Sequence, residues 1–191
     1  MTQDTDHRGR VLVVDDEPDV AEAQAVRLRT TYETSVACGG EDALEQAGPG
    51  IDAILLDRRM PDVHGDDVLA KLRDRGYEGV IIMLTAVNPE LNILEMGFDD
   101  YLQKPVDRET LLSTLARHLD ARDTDDSLDE FFRITSKLQL LEADRTTEQL
   151  AESSEYAALE RRADELEQAL RAEMDEFDTV VGTHRAIERS D

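Results

Sequence analysis

The sequence predicts an α/β fold: a doubly wound, five-stranded parallel sheet followed by an all-helical hairpin or coiled coil. Three observations predict it. Short apolar runs alternate with longer amphipathic stretches as far as Ala121. Asp, Thr and Lys residues stand just after those runs. Beyond Asp123 the apolar residues recur only at spacings of three and four.

Val11-Leu12-Val13-Val14 is apolar at every position, the pattern of a strand covered on both faces. A first strand is therefore placed near 10–14, and others near 34–38, 52–56, 79–84 and 100–102. Helices are expected near 18–30, 40–47, 65–75 and 89–96, with a fifth near 107–121 after the last strand. Five strands alternating with five helices make one layered sandwich.

Asp123-Thr124-Asp125-Asp126 is polar, charged and without an apolar anchor, and reads as a linker. Leu128, Phe131, Ile134, Leu138 and Leu141 then follow a helical period. Tyr156, Leu159, Ala163, Leu166, Leu170, Met174, Phe177 and Val181 hold a near-heptad stripe. Thr146-Thr147 and Ser153-Ser154 offer capping hydroxyls between the two stretches. The expectation is two amphipathic helices joined near 145–154, as a hairpin or as a nearly continuous coiled coil. The domains are then 9–121 for the sheet, 122–127 for the linker and 128–185 for the helical output.

The 45 acidic residues outnumber 21 basic ones, for a net charge of −24. The excess is even: residues 1–122 carry 25 acids and 13 bases, and 123–191 carry 20 and 8, so each part is −12. Lys71, Lys104 and Lys137 are the only lysines. Self-repulsion of this size opposes a compact state unless salt screens it, so the composition reads as adaptation to a salty cytoplasm. It also disfavours nonspecific attraction to nucleic acid or anionic lipid. Cys38 is alone and reads as a small buried apolar residue. No apolar run approaches the length of a membrane span, and residues 1–10 lack a signal-peptide core, so a cytoplasmic location is expected.

Asp15-Asp16 follows the first expected strand, Asp57 ends the third, Thr85 ends the fourth and Lys104-Pro105 follows the fifth. Asp-Asp occurs at four places in the chain, and it is position after a strand that selects this pair. In a parallel sheet all these positions lie at the carboxyl edge, where such folds bind ligands. Three carboxylates there form a hard oxygen site suited to Mg²⁺, which keeps waters and recruits phosphate oxygens. Asp57 is the expected nucleophile, becoming an aspartyl phosphate. Lys104 would supply a point charge to the phosphoryl oxygens and Thr85 a mobile hydroxyl.

With these motifs in order, the chain resembles the receiver domains of two-component response regulators, which have a flavodoxin-like fold. The matching text is Val13-Val14-Asp15-Asp16-Glu17-Pro18, Leu56-Asp57-Arg58-Arg59-Met60-Pro61, Gly65, Thr85-Ala86 and Gly97-Phe98-Asp99-Asp100-Tyr101-Leu102-Gln103-Lys104-Pro105. The resemblance implies that Asp15, Asp16 and Asp57 hold Mg²⁺ with the backbone carbonyl of Arg59. It also implies a cis Lys104-Pro105 peptide, a switch pair of Thr85 and Tyr101, and a sensor histidine kinase as phosphoryl donor. The segment from Thr85 to Lys104 is a few residues shorter than in that family, so a trimmed or tilted fourth helix is expected.

The C-terminal stretch resembles the HalX domain, through Glu155-Tyr156-Ala157-Ala158-Leu159-Glu160 and the Leu-rich repeat after it. That resemblance implies a DNA-binding or transcriptional output. Three output classes stand: a DNA-binding regulator, a protein-interaction or homodimerisation module, and an enzyme such as a phosphohydrolase. Against the first, this stretch has no basic recognition helix. Against the third, Asp57 has no second acid at the spacing used for proton transfer, and no Gly-rich phosphate loop is present; only self-phosphorylation and self-dephosphorylation are expected.

Overall fold

The computed structural model describes residues 8–86, 93, 94, 96–120, 126–173 and 177. They fall into two compact units, one carrying the sheet and the other the helices after residue 120 together with Ile93 and Leu94.

In the first unit, strands β1 (Arg10–Val14), β2 (Glu33–Ala37), β3 (Ala53–Asp57), β4 (Val80–Thr85) and β5 (Asp100–Gln103) form one sheet in the order β2-β1-β3-β4-β5. Every pairing is parallel. Helices α1 (Pro18–Leu28), α2 (Gly40–Gln46), α3 (Gly65–Asp74) and α4 (Arg108–Asp120) accompany it. The helix expected near 89–96, with its expected shortening, lies outside the described residues apart from Ile93 and Leu94, which sit in a 3₁₀ turn, and Met96, which is not helical. The linker expected at 122–127 is likewise outside them as far as residue 125, and its last two residues, Asp126 and Ser127, instead open the first helix of the second unit.

The sheet is buried on both faces. Val11, Val13, Ala53, Leu55, Val80, Ile82 and Leu84 share one core cluster with Ala21, Ala25 and Leu28 of α1 and Leu111 and Leu115 of α4. The alternate residues Leu12, Val14, Ile54, Leu56, Ile81 and Met83 are equally buried; successive side chains of a strand point to opposite faces, and α2 lies against both β1 and α3. Burial on both sides is why these strands read as unbroken apolar runs.

Cys38 corrects one expectation: it is exposed, not buried. Strand β2 is an edge strand that ends at Ala37, one residue before the expected limit, so Cys38 falls in the following turn, where its N–H donates to Asp42 Oδ2 at 2.9 Å.

The second unit holds α5 (Asp126–Asp144), α6 (Thr147–Ala151) and α7 (Ser154–Glu173). Helices α5 and α7 pack together and run antiparallel. Tyr156, near the start of α7, donates to Glu142 near the end of α5 at 2.7 Å, and Arg162 further on pairs with Glu130 near the start of α5 at 2.7 Å. Of the two arrangements open at the sequence level, the structure takes the hairpin. The short α6 in the connection was not expected, although its cap was: Thr146 and Gln149 form a capping box, and the Ser153 hydroxyl accepts from Tyr156 N–H at 3.1 Å to start α7. The apolar stripe is buried from Leu128 to Leu170, except Leu159, which is half-buried, and Phe177 stacks edge-on against Phe131 at 5.5 Å. Met174 and Val181 lie outside the described residues. Among the described residues no helix is long and apolar enough to cross a membrane.

Candidate functional site

The strand order places the carboxyl ends of β1 and β3 side by side, with β4 and β5 beyond them. Asp15 directly follows β1, Asp57 is the last residue of β3 and Thr85 the last of β4. Lys104 directly follows β5, and its N–H donates to the Thr85 carbonyl at 2.7 Å. Register alone therefore brings these four residues to one edge. The Lys104-Pro105 peptide is cis.

Lys104 is the centre of the arrangement. Its ammonium donates to Asp57 Oδ1 at 2.6 Å and to Asp15 Oδ2 at 2.7 Å. The remaining oxygens of both carboxylates face backbone: Asp15 Oδ1 accepts from Glu17 N–H, and Asp57 Oδ2 from Arg59 N–H, each at 3.0 Å. Asp15 is 3% exposed and Asp57 6%. Burial pushes the Asp57 carboxyl above the usual carboxylate range; Lys104 pulls it down without cancelling the burial, and Asp15 adds to the rise. Burial alone would lower the Lys104 ammonium, but its hydrogen bonds to Asp15 and Asp57 outweigh it and raise it.

Of the expected site residues, Asp15, Asp57 and Lys104 are thus joined by hydrogen bonds, and Thr85 is 1% exposed on the neighbouring strand. Asp16 is half-buried beside them, and Arg59 is exposed. Among the described residues no three acid, His or Cys side chains already surround one point at metal distance; the Lys104 ammonium lies between two of the three acids. The donor set still has the chemistry of a hard cation site: carboxylate oxygens, no thiolate, no imidazole. Tyr101 is buried, 4% exposed, its ring 5.7 Å from that of Phe98.

Close packing fixes the loop after Asp57. The Gly65 N–H donates to Arg58 O at 3.0 Å, and a Cβ at Gly65 would overlap Asp57 O, so the start of α3 can rest there only as glycine.

Three clusters escaped the sequence reading. Arg58 forms a two-point pair with Asp66. Arg73 donates to the carbonyls of Gly97, Tyr77 and Gly79 and to Asp99, which in turn accepts from Ile81 N–H at 2.8 Å. Asp100, 4% exposed, holds Arg117 and His118 of α4 together with the N–H of Tyr101. The only signal was the dipeptide Asp99-Asp100, whose members, on successive positions, serve different partners.

Comparison with known proteins agrees with this geometry. The family model for the response regulator receiver domain matches residues 11–116, and the HalX domain model matches residues 120–190. The chain is 38% identical over 164 residues to a Haloferax volcanii protein described as a "Putative transcriptional regulator", covering 85% of this chain and 27% of that protein. It is 45% identical over 101 residues to the transcriptional regulatory protein CutR of Streptomyces coelicolor, covering 50% of this chain and 46% of that one. The chain therefore spans less than two thirds of the length of these relatives. Among solved structures it is similar to a CheY-like receiver domain of Methanospirillum hungatei, with 26% identity and a TM-score of 0.55 over 60% of this chain and 96% of that one. It is also similar to the response regulator TrrA of Thermotoga maritima in complex with Mg(2+)-BeF, with 31% identity and a TM-score of 0.51 over 57% and 97%. With the receiver model covering more than half of its residues, the chain belongs to the response regulator receiver family.

Proposed function

We propose that Asp57 accepts a phosphoryl group from the phosphohistidine of a sensor histidine kinase, and that the helical unit, 128–185, passes the state of the 9–121 receiver to the transcription machinery. The observation that carries this reading is the Lys104 ammonium held between Asp57 and Asp15 at the carboxyl edge of the sheet. In the transfer an Asp57 carboxylate oxygen attacks phosphorus, the new P–O bond forms as the P–N bond to the donor imidazole breaks, and the imidazole leaves with a proton. Lys104 then neutralises phosphoryl oxygens, and the Thr85 hydroxyl donates to one of them. Hydrolysis of the acyl phosphate resets the site.

Asp15, Asp16, Asp57 and the Arg59 carbonyl would hold Mg²⁺. When bound, that ion supplies positive charge against the phosphoryl oxygens, which one lysine among three carboxylates offsets only in part. Beside the site a groove of about 510 Å³ runs between α1 and the segment Lys104–Val106, lined also by Asp19, Gln24 and Arg27. It offers a donor protein access next to Lys104, and Gln24 Oε1, buried there, has no hydrogen-bond partner among the described residues.

A protein partner is favoured over direct DNA contact by one observation. Two of the three arginines of α7 are engaged by acids of the same unit: Arg162 by Glu130 and Glu165, and Arg171 by Glu167. Phosphate binding needs free cations. The deciding experiment is acetyl phosphate treatment followed by intact-mass spectrometry: a phosphoryl adduct on the unmodified sequence in the presence of Mg²⁺, none on Asp57→Asn. Chromatin pulldown and gel shift at high salt then separate promoter contact from capture of a protein partner.

A further inference from the structure

We infer that Arg58 and Asp66 are positioning residues for the Mg²⁺ site, their ion pair closing the base of the loop that carries the Arg59 carbonyl; this rests on that carbonyl joining Asp15, Asp16 and Asp57 around the ion. Residues 58–64 connect β3 to α3, and both ends of the connection meet at Arg58. Its N–H donates to Leu84 O on the neighbouring strand at 2.9 Å, and its carbonyl accepts from the Gly65 N–H at 3.0 Å. Its guanidinium then reaches Asp66 through Nε to Oδ1 at 3.0 Å and Nη2 to Oδ2 at 3.1 Å. One residue thus ties the entry of the loop to β4 and its exit to α3.

The pair is no loose surface contact. The Arg58 side chain is 11% exposed, so removing either partner leaves a poorly solvated charge behind. A guanidinium facing a carboxylate in a two-point fork is fixed in angle as well as distance, which a lysine ammonium cannot reproduce. Gly65 lets the first turn of α3 lie against Asp57 O, and this close seat brings the next residue, Asp66, opposite Arg58. On the other side of Arg59, Met60 is 2% exposed. Arg59 itself is exposed, but its peptide is caught between these two anchors, and its N–H donates to Asp57 Oδ2 at 3.0 Å.

Mg²⁺ makes this placement matter, because it demands near-octahedral ligands at about 2.0–2.1 Å. A backbone carbonyl has no rotamer with which to adjust, so the loop alone sets its position. Groups that orient metal ligands without touching the ion typically govern affinity by about 10- to 100-fold. With the loop closed before the ion arrives, binding has less chain to order. Charge alone gives a different expectation. Arg58 is a cation near a cation site and Asp66 an anion, so losing the first would tighten Mg²⁺ and losing the second would weaken it. Positioning requires both losses to weaken it.

The test is calorimetric titration of the full chain with Mg²⁺ alone, at fixed high salt. Arg58→Met, which keeps the apolar stem, should bind the ion about tenfold more weakly than the parent, the lower end for such groups. Asp66→Asn should also bind more weakly. The double variant should be no weaker than Arg58→Met, because the two act as one unit, and Arg58→Lys should not restore the parent's affinity. Hydrogen–deuterium exchange without metal should show residues 59–63 opening faster in Arg58→Met and β4 unchanged, which separates a loosened loop from a loosened fold. Tighter Mg²⁺ binding by Arg58→Met, additive losses in the double variant, or unaltered loop exchange would overturn the positioning role. Should Arg58→Met fail to fold, Asp66→Asn, whose side chain is the more exposed of the pair, carries the same affinity and exchange comparison. Failure of the parent to bind Mg²⁺ would instead remove the metal reading, and the loop exchange would still judge the pair.

Discussion

The Lys104 ammonium stands 2.6 Å from Asp57 Oδ1, so the expected nucleophile and its charge partner are already in contact before any substrate is bound. Asp57 must be ionised to attack. Burial raises its carboxyl and Lys104 opposes the rise, so Lys104→Met should shift the acidic limb of the modification rate toward higher pH. It should also slow labelling by acetyl phosphate about 10²-fold, the usual cost of removing a donor to developing charge. Rate against pH by intact-mass spectrometry checks both; a profile with an unmoved acidic limb would separate Lys104 from Asp57 ionisation.

Asp57 should also weaken the fold it serves. Its folded carboxyl is raised above the ordinary value, so its favourable contribution is complete below the unfolded value, near pH 4, and is lost as pH rises through the folded one. Asp57→Asn, which has no charge to bury, should therefore melt at higher temperature than the parent at pH 7. The gap should close toward pH 4. Equal melting temperatures at pH 7 would show that Lys104 fully compensates the burial.

Much of this site was legible because it is written at strand ends. Buried parallel strands appear as apolar runs, and whatever follows a run sits at the carboxyl edge, which is how Asp15, Asp57, Thr85 and Lys104 could be grouped without coordinates. The strands fall within a residue or so of their expected limits for the same reason. The Arg58–Asp66 pair was not legible, since Asp66 reads as a surface acid at the start of a helix. Cys38 was misjudged because a one-residue error in the end of an edge strand decides between core and turn. The hairpin of α5 and α7 could not be told from a continuous coil, because both arrangements satisfy the same stripe; α6 and its caps make the reversal.

Asp100 should govern acid stability of the sheet unit. Burial by itself would raise its carboxyl, but His118 and Arg117 outweigh this and hold it well below the usual carboxylate range. A lowered folded value contributes stability that is present above about pH 4 and is lost as pH falls through the folded value. Asp100→Asn leaves the half-buried Arg117 without its anion and should cost roughly 3–5 kcal/mol at pH 7. Denaturant titrations should show this deficit shrinking as pH drops below 4. A deficit that stays constant with pH would assign the loss to packing rather than charge.

Salt should stabilise the helical unit, and the balance of two forces gives the sign. The segment from residue 123 onward carries 20 acids against 8 bases. On α7 Glu160, Asp164 and Glu165 flank the buried line of Tyr156, Ala163, Leu166 and Leu170, while Arg162 and Arg171 are already engaged. The residual repulsion acts across exposed residues and is screened as the Debye length falls to roughly 3 Å near 1 M salt. The apolar seam is not screened. It is worth about 1.5–3 kcal/mol for each large side chain fully buried. Helix content of the full chain, followed by circular dichroism, should therefore rise with salt, and the thermal transition of the helical unit should move upward. Leu170→Ala, fully buried in the parent, should lower that transition by about 2–5 kcal/mol in stability at molar salt, with the salt dependence retained because the charges are untouched. A Leu170→Ala variant that matches the parent at every salt concentration would show that the seam does not hold the hairpin together.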